Sequence, residues 1–142
     1  MNKKIGLGLF VVLFILVGPT FIQPVFADSV INTAPPVLSK NTKTWKTFFN
    51  VTNSGTNKEA IYDVHMTING ADLISVSRPK SWKSKVAGQT VTWSTDKDPI
   101  LDGFKNEGFD IGTSGPNYRV NWETTNASKG VIDSGSFVVG TT

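Results

Sequence analysis

The chain has 142 residues, no cysteine, four tryptophans, nine phenylalanines and a formal net charge of +3. Zero cysteine excludes disulfides, thiol catalysis, cysteine-held zinc and haem attachment. Two of the positive charges, Lys3 and Lys4, lie at the extreme N-terminus, so the rest of the chain nets about +1 and gives no basis for nucleic-acid binding.

Met1 to Ala27 read as a secretory signal helix. Lys3 and Lys4 form a positive leader, Ile5 to Val17 is an uncharged apolar run, Gly18-Pro19 breaks it, and Val25-Phe26-Ala27 ends in the small residue that signal peptidase needs. The run of 13 residues is shorter than the roughly 20 that span a bilayer. An uncleaved membrane anchor is the alternative, and it is the only route to the membrane that the sequence offers. The expectation is a secreted or extracellular protein, associated with the cell surface and starting at Asp28.

Asp28 to Lys40, with Pro35-Pro36, reads as an extended lead-in or first edge strand, and 41–142 as one domain. Trp45 to Thr52 is aromatic and β-branched, and a loop of composition Asn53-Ser54-Gly55-Thr56-Asn57 follows it. From Ile61 to Asn69 the residues alternate, with Tyr62, Val64, Met66 and Ile68 on one face and Asp63, His65 and Thr67 on the other. Asn69-Gly70 marks a tight turn. Leu73 to Ser77, Trp82 to Val86 and Thr90 to Thr95 are further strands, the last two joined by Gly88-Gln89. Phe104 to Ile111 is interrupted by Gly108. Tyr118, Val120, Trp122 and Thr124 alternate with polar residues, and Val131 to Val139 closes the chain. Eight or nine short strands at this spacing, with no helical periodicity after the signal, predict an all-β, immunoglobulin-like antiparallel β-sandwich.

Catalysis has little to work with, and the expectation is a non-enzymatic chain. The only histidine, His65, sits mid-strand on the polar face of an alternation, as a solvent-facing residue would. The acidic residues fall in no recognisable setting for glycoside cleavage. Asp96, Asp98 and Asp102 share one loop and could supply some of the oxygens calcium requires, but Lys97 lies among them and the regular spacing of a calcium loop is missing. A solvated turn is the simpler account.

The stretch Arg78-Pro79-Lys80-Ser81-Trp82-Lys83-Ser84-Lys85 is the candidate binding segment. Its cations suit an acidic polysaccharide or another anionic envelope component. In a strand, however, Trp82 would face the core and Lys83 and Lys85 the solvent. Trp45, Trp82, Trp93 and Trp122 also invite a glycan-binding reading, because sugars stack on exposed rings. Buried rings would equally explain how a cysteine-free domain stays folded. Asn50-Val51-Thr52 and Asn126-Ala127-Ser128 are candidate N-glycan acceptors, Asn126 the better placed.

Val76-Ser77-Arg78-Pro79 followed by Trp82, then Thr90-Val91-Thr92-Trp93, Pro99-Ile100 with Gly103, Gly108-Phe109-Asp110-Ile111 and Val120-Asn121-Trp122 form an ordered series. In that series the chain resembles the exported YcnI-like copper-binding domains. The resemblance implies a sandwich and a copper site at the mature N-terminus, built there on a histidine and its amine. Here Asp28 takes that place, so Asp28, its free amine and His65 would be the replacement ligands. The expected partners are a cell-envelope component, whether polysaccharide or protein, with no resident cofactor. Copper handling and glycan binding are the alternatives.

Overall fold

A computed structural model describes residues 29–54 and 59–140. The signal segment and Asp28 lie outside the described residues. Among the described residues ten strands run in order: β1 (Ser29–Thr33), β2 (Val37–Ser39), β3 (Thr44–Asn53), β4 (Asp63–Asn69), β5 (Leu73–Ser77), β6 (Lys83–Ala87), β7 (Thr90–Ser94), β8 (Lys105–Thr113), β9 (Tyr118–Thr125) and β10 (Val131–Val139). The expected all-β antiparallel sandwich is what they build. Its first sheet has the order β1-β3-β8-β5, with β2 also paired to β3, and its second the order β10-β9-β4-β7-β6. The segment read as an extended lead-in or first edge strand supplies two strands, which bring the number above the eight or nine expected. β1 pairs with the second half of β3 and β2 with its start.

Period-two alternation decides which residues enter the core. On β3, Thr47, Phe49 and Val51 are buried; on β4, Val64, Met66 and Ile68; on β9, Tyr118, Val120 and Thr124. The alternation in β4 and β9 is plain in the sequence, and the apolar faces turn inward as it indicates, although Asp63 of the polar face is buried too and Tyr62 and Trp122 are only half-buried. Trp82 and Trp93 are fully buried, and both set their rings edge-on to Phe109 with centroids 5.0 and 5.4 Å away. Such edge-to-face pairs are worth about 1 kcal/mol beyond the area they bury. Each indole N–H finds a carbonyl: Trp93 Nε1 donates to Ser77 O at 2.7 Å, and Trp82 Nε1 to Asp98 O at 3.1 Å. The first of these bonds ties β7 in one sheet to β5 in the other.

The two glycine turns differ in role. Gly88-Gln89 closes a two-residue hairpin between β6 and β7, with Gly88 at φ 62° in the first turn position, where a type II′ turn requires glycine. Asn69-Gly70 makes no hairpin: β4 and β5 belong to different sheets, so the turn carries the chain across the sandwich.

Candidate binding surface

β6 is the free edge of the second sheet, and every one of its five residues is exposed. Its alternation turns Lys83 and Lys85 toward the outer face, in register with Ser94 and Thr92 of β7. From there the rows continue across the sheet. Lys85, Thr92, His65, Glu123 and Ser134 stand opposite one another over all five strands. Ala87, Thr90, Thr67, Asn121 and Ser136 form a neighbouring row, and neither row holds a Phe, Tyr or Trp. The face is hydroxyl-rich and cationic along one edge.

Arg78 and Lys80 lie in the loop that leads into β6, both exposed. Arg78 Nη1 donates to Trp82 O at 2.8 Å, and Trp82 N donates to Pro79 O at 3.2 Å. Ser81 takes the left-handed conformation, φ 69°, which turns the chain so that Trp82 enters the core. Trp82 therefore does not belong to a contact surface. Its ring is 0% exposed, because the apolar interior outcompetes solvent for so large a side chain. Trp93, another of the rings considered for glycan stacking, is buried as well. Of the segment's five candidate contacts, Arg78, Lys80, Trp82, Lys83 and Lys85, the four cations remain accessible.

A shallow, open groove of about 430 Å³ runs beside them, lined by Ser81, Lys83, Ser94, Thr95, Asp96 and Lys97. Lys97, from the turn that holds Asp96 and Asp98, adds a further cation. Thr95 fixes the groove floor: its hydroxyl donates to Ser81 O at 2.9 Å and accepts from Asp98 N at 3.1 Å. Neither Lys83 nor Lys85 is ion-paired among the described residues.

His65 is half-buried rather than solvent-facing. Thr125 Oγ1 gives its proton to Asp63 Oδ2 at 2.7 Å, so it accepts from His65 Nε2 at 3.4 Å. The other nitrogen, Nδ1, faces the Thr92 hydroxyl at 3.1 Å. Both ring nitrogens are thus engaged within the sheet. Asp28, the other proposed copper ligand, lies outside the described residues. Among the described residues no three His, Cys, Asp or Glu side chains come close enough together to hold a metal ion. Asp96, Asp98 and Asp102 are strung along an exposed loop.

Asn126 opens the turn between β9 and β10. Its Oδ1 accepts from Ser128 N, Ser128 Oγ and Gly130 N, while Nδ2 donates to Glu59 Oε1 at 2.6 Å. Asn50 is half-buried on the outer face of β3, opposite Asn32 and Glu107. Two exposed rings carried no sequence signal of a site: Phe104, 64% exposed just before β8, and Phe48. Phe48 is 50% exposed on the same outer face as Asn50. Its exposure is legible in the Phe48-Phe49 pair, since consecutive strand residues cannot both be buried on one side.

No protein-family model matches this chain, and no curated protein does. Among solved structures it is similar to a cohesin module from a Clostridium perfringens family 33 glycoside hydrolase, at 12% identity and a TM-score of 0.49, covering 79% of this chain and 93% of that one. It is also similar to the chitin-binding domain of a chitinase from Pyrococcus furiosus, at 15% identity and a TM-score of 0.46, covering 81% and 100%. Likenesses this slight carry nothing across about what a chain binds.

Proposed function

We propose that this chain is an exported, non-enzymatic binding module of the cell envelope, and that its β6 edge engages an acidic polysaccharide. The observation that carries the reading is the placement of Lys83 and Lys85. They stand about 7 Å apart on one face of a free edge strand, unpaired, with Lys80, Arg78 and Lys97 around them. The hydroxyl rows behind the lysines offer donors and acceptors to sugar hydroxyls. The apolar run and small-residue ending of Met1 to Ala27 support export.

A second reading has its own observation. Lysines on a free edge strand also prevent edge-to-edge pairing between molecules, and β6 is such an edge. Binding to polygalacturonate separates the two. An acidic-polymer site predicts saturable binding that weakens with salt. It also predicts a loss of at least about tenfold in the Lys83→Glu/Lys85→Glu variant, as expected for two reversed surface charges. An edge guard alone predicts no affinity for the polymer, and self-association when both lysines become Val.

A further inference from the structure

The connection between β7 and β8 holds two large apolar side chains in water. Ile100, 3% exposed, reaches the core and bridges to Ile61 through two backbone bonds of 3.0 Å. Every residue from Leu101 to Lys105 is then exposed. Leu101 is 53% exposed and Phe104 64%, the most of any large apolar residue among those described. Phe104 N donates to Leu101 O at 3.0 Å and Gly103 has φ 80°, so the four residues form a β-turn with glycine in third place. Such a turn keeps the Cα atoms of Leu101 and Phe104 within about 7 Å of each other. It is pinned to the end of β3, where Gly103 N donates to Asn53 O at 3.0 Å and Asn53 N to Phe104 O at 2.8 Å. A bonded turn, rather than a free loop, presents the pair.

The path of the chain fixes what this end of the sandwich meets. Ser29 opens β1 opposite Asn53, on the side of β3 away from β8. Two strand spacings, about 10 Å, therefore separate Ser29 from the turn. The segment from Ile5 to Phe26 carries no charge, and only Ala27 and Asp28 stand between it and Ser29. Covalent reach keeps Phe26 within about 11 Å of Ser29. With that segment in a bilayer, this end of the sandwich lies against the bilayer surface, and Leu101 and Phe104 are the apolar side chains it offers. The charges beside them balance, Lys97 and Lys105 against Asp98 and Asp102, so lipid headgroups do not repel the turn.

We propose that Leu101 and Phe104 insert into the interface of the membrane that holds the chain's own N-terminal segment, a second contact that sets the domain end-on to the surface. Two partly exposed side chains do not hold a free domain on lipid, since even one acyl chain gives only marginal binding. A tethered domain meets the surface at an effective concentration of about millimolar, and the same two side chains then suffice to choose its orientation. A protein partner fits less well, because a stable interface needs about 800 Å² on each side. The contact requires the N-terminal segment in place and does not rest on the acidic-polysaccharide reading. End-on docking turns the lysine edge to the side, away from the lipid.

The chain lacks cysteine, so a single introduced cysteine carries a polarity-sensitive dye at a chosen point. The test reconstitutes the full chain in vesicles of phosphatidylcholine and phosphatidylglycerol, labelled either at Asp102→Cys in the turn or at Ala87→Cys at the far end of β6. The contact predicts blue-shifted emission at 102 that nitroxide-bearing lipids quench, and neither effect at 87. Leu101→Ser/Phe104→Ser abolishes both effects at 102 while the chain stays in the vesicles. Near-UV circular dichroism of the buried tryptophans verifies that this variant is folded. Lys83→Glu/Lys85→Glu leaves the signal at 102 unchanged. A full chain that does not float with the vesicles, equal quenching at 102 and 87, or quenching that survives the double serine variant overturns the proposal.

Discussion

Lys129 Nζ lies 3.0 Å from Asp63 Oδ1 and 3.1 Å from Oδ2, so an ammonium 72% exposed caps a carboxylate that is 2% exposed. The pair joins the β9–β10 turn, where Lys129 has φ 70°, to the start of β4. Thr125 Oγ1 completes the site from beneath and passes the connection to His65. One buried acid thus ties a surface turn to the centre of the hydroxyl-rich face.

The two partners should contribute unequally to stability. Asp63→Ala removes the acceptor of a buried hydroxyl and costs about 2 kcal/mol. Lys129→Ala costs about 1 kcal/mol or less, because water reaches the carboxylate from the side the ammonium occupied. Urea unfolding of both variants gives the order directly, and a larger loss in Lys129→Ala would contradict it.

Trp82 is a core residue despite its basic neighbours. Trp82→Ala should cost about 4 kcal/mol, the range for truncating a fully buried aromatic. Trp82→Phe should recover most of the packing but forfeit the bond to Asp98 O, a loss of about 1 kcal/mol. Unfolding midpoints near the native value for Trp82→Ala would show that the ring belongs to the surface after all.

Asp110 predicts a pH dependence of definite sign. Burial raises its folded-state pKa above the unfolded value, so the folded chain holds this proton more tightly. Stability therefore falls as pH rises through the window that opens at the ordinary carboxylate value. Asp110→Asn should leave stability unchanged below that window and raise it at neutral pH. Thermal unfolding of native and variant chains between acid and neutral pH measures the difference, and equal slopes would contradict it.

Gly135 sits opposite Trp122 in the β9–β10 ladder, and a Cβ there would lie 2.8 Å from the ring's Cζ2. Gly135→Ala should therefore displace a half-buried indole, costing about 1 kcal/mol by overpacking. A shift of tryptophan emission to longer wavelength accompanies the loss. Unaltered emission would mean that the ring moves without leaving its contact.

Strands with polar and apolar residues in strict alternation were legible from sequence, because burial on one face selects the same periodicity. β4 and β9 are the clearest cases. β8 was blurred by Gly108, which the fold uses at φ 100° where the chain bulges opposite Phe49 and Asn50 and passes close to Pro79. Asn69-Gly70 was legible as a tight turn because turn chemistry is local, whereas the sheet that the following strand joins is set by long-range pairing. In the candidate segment, alternation alone placed Lys83 and Lys85 outward and Trp82 inward. What it could not place was Lys97, which reaches the same groove from a loop, or the hydroxyl rows, which exist only once β4, β7 and β9 are aligned.

The lysine edge is tested most directly by following backbone amide shifts of the labelled chain during titration with oligogalacturonate. Engagement at β6 predicts saturable shifts centred on residues 78–87, with 90–97 beside them, that disappear in Lys83→Glu/Lys85→Glu. Shifts confined to the face around Phe48, or none that saturate, would contradict the assignment of the acidic-polysaccharide site to this edge.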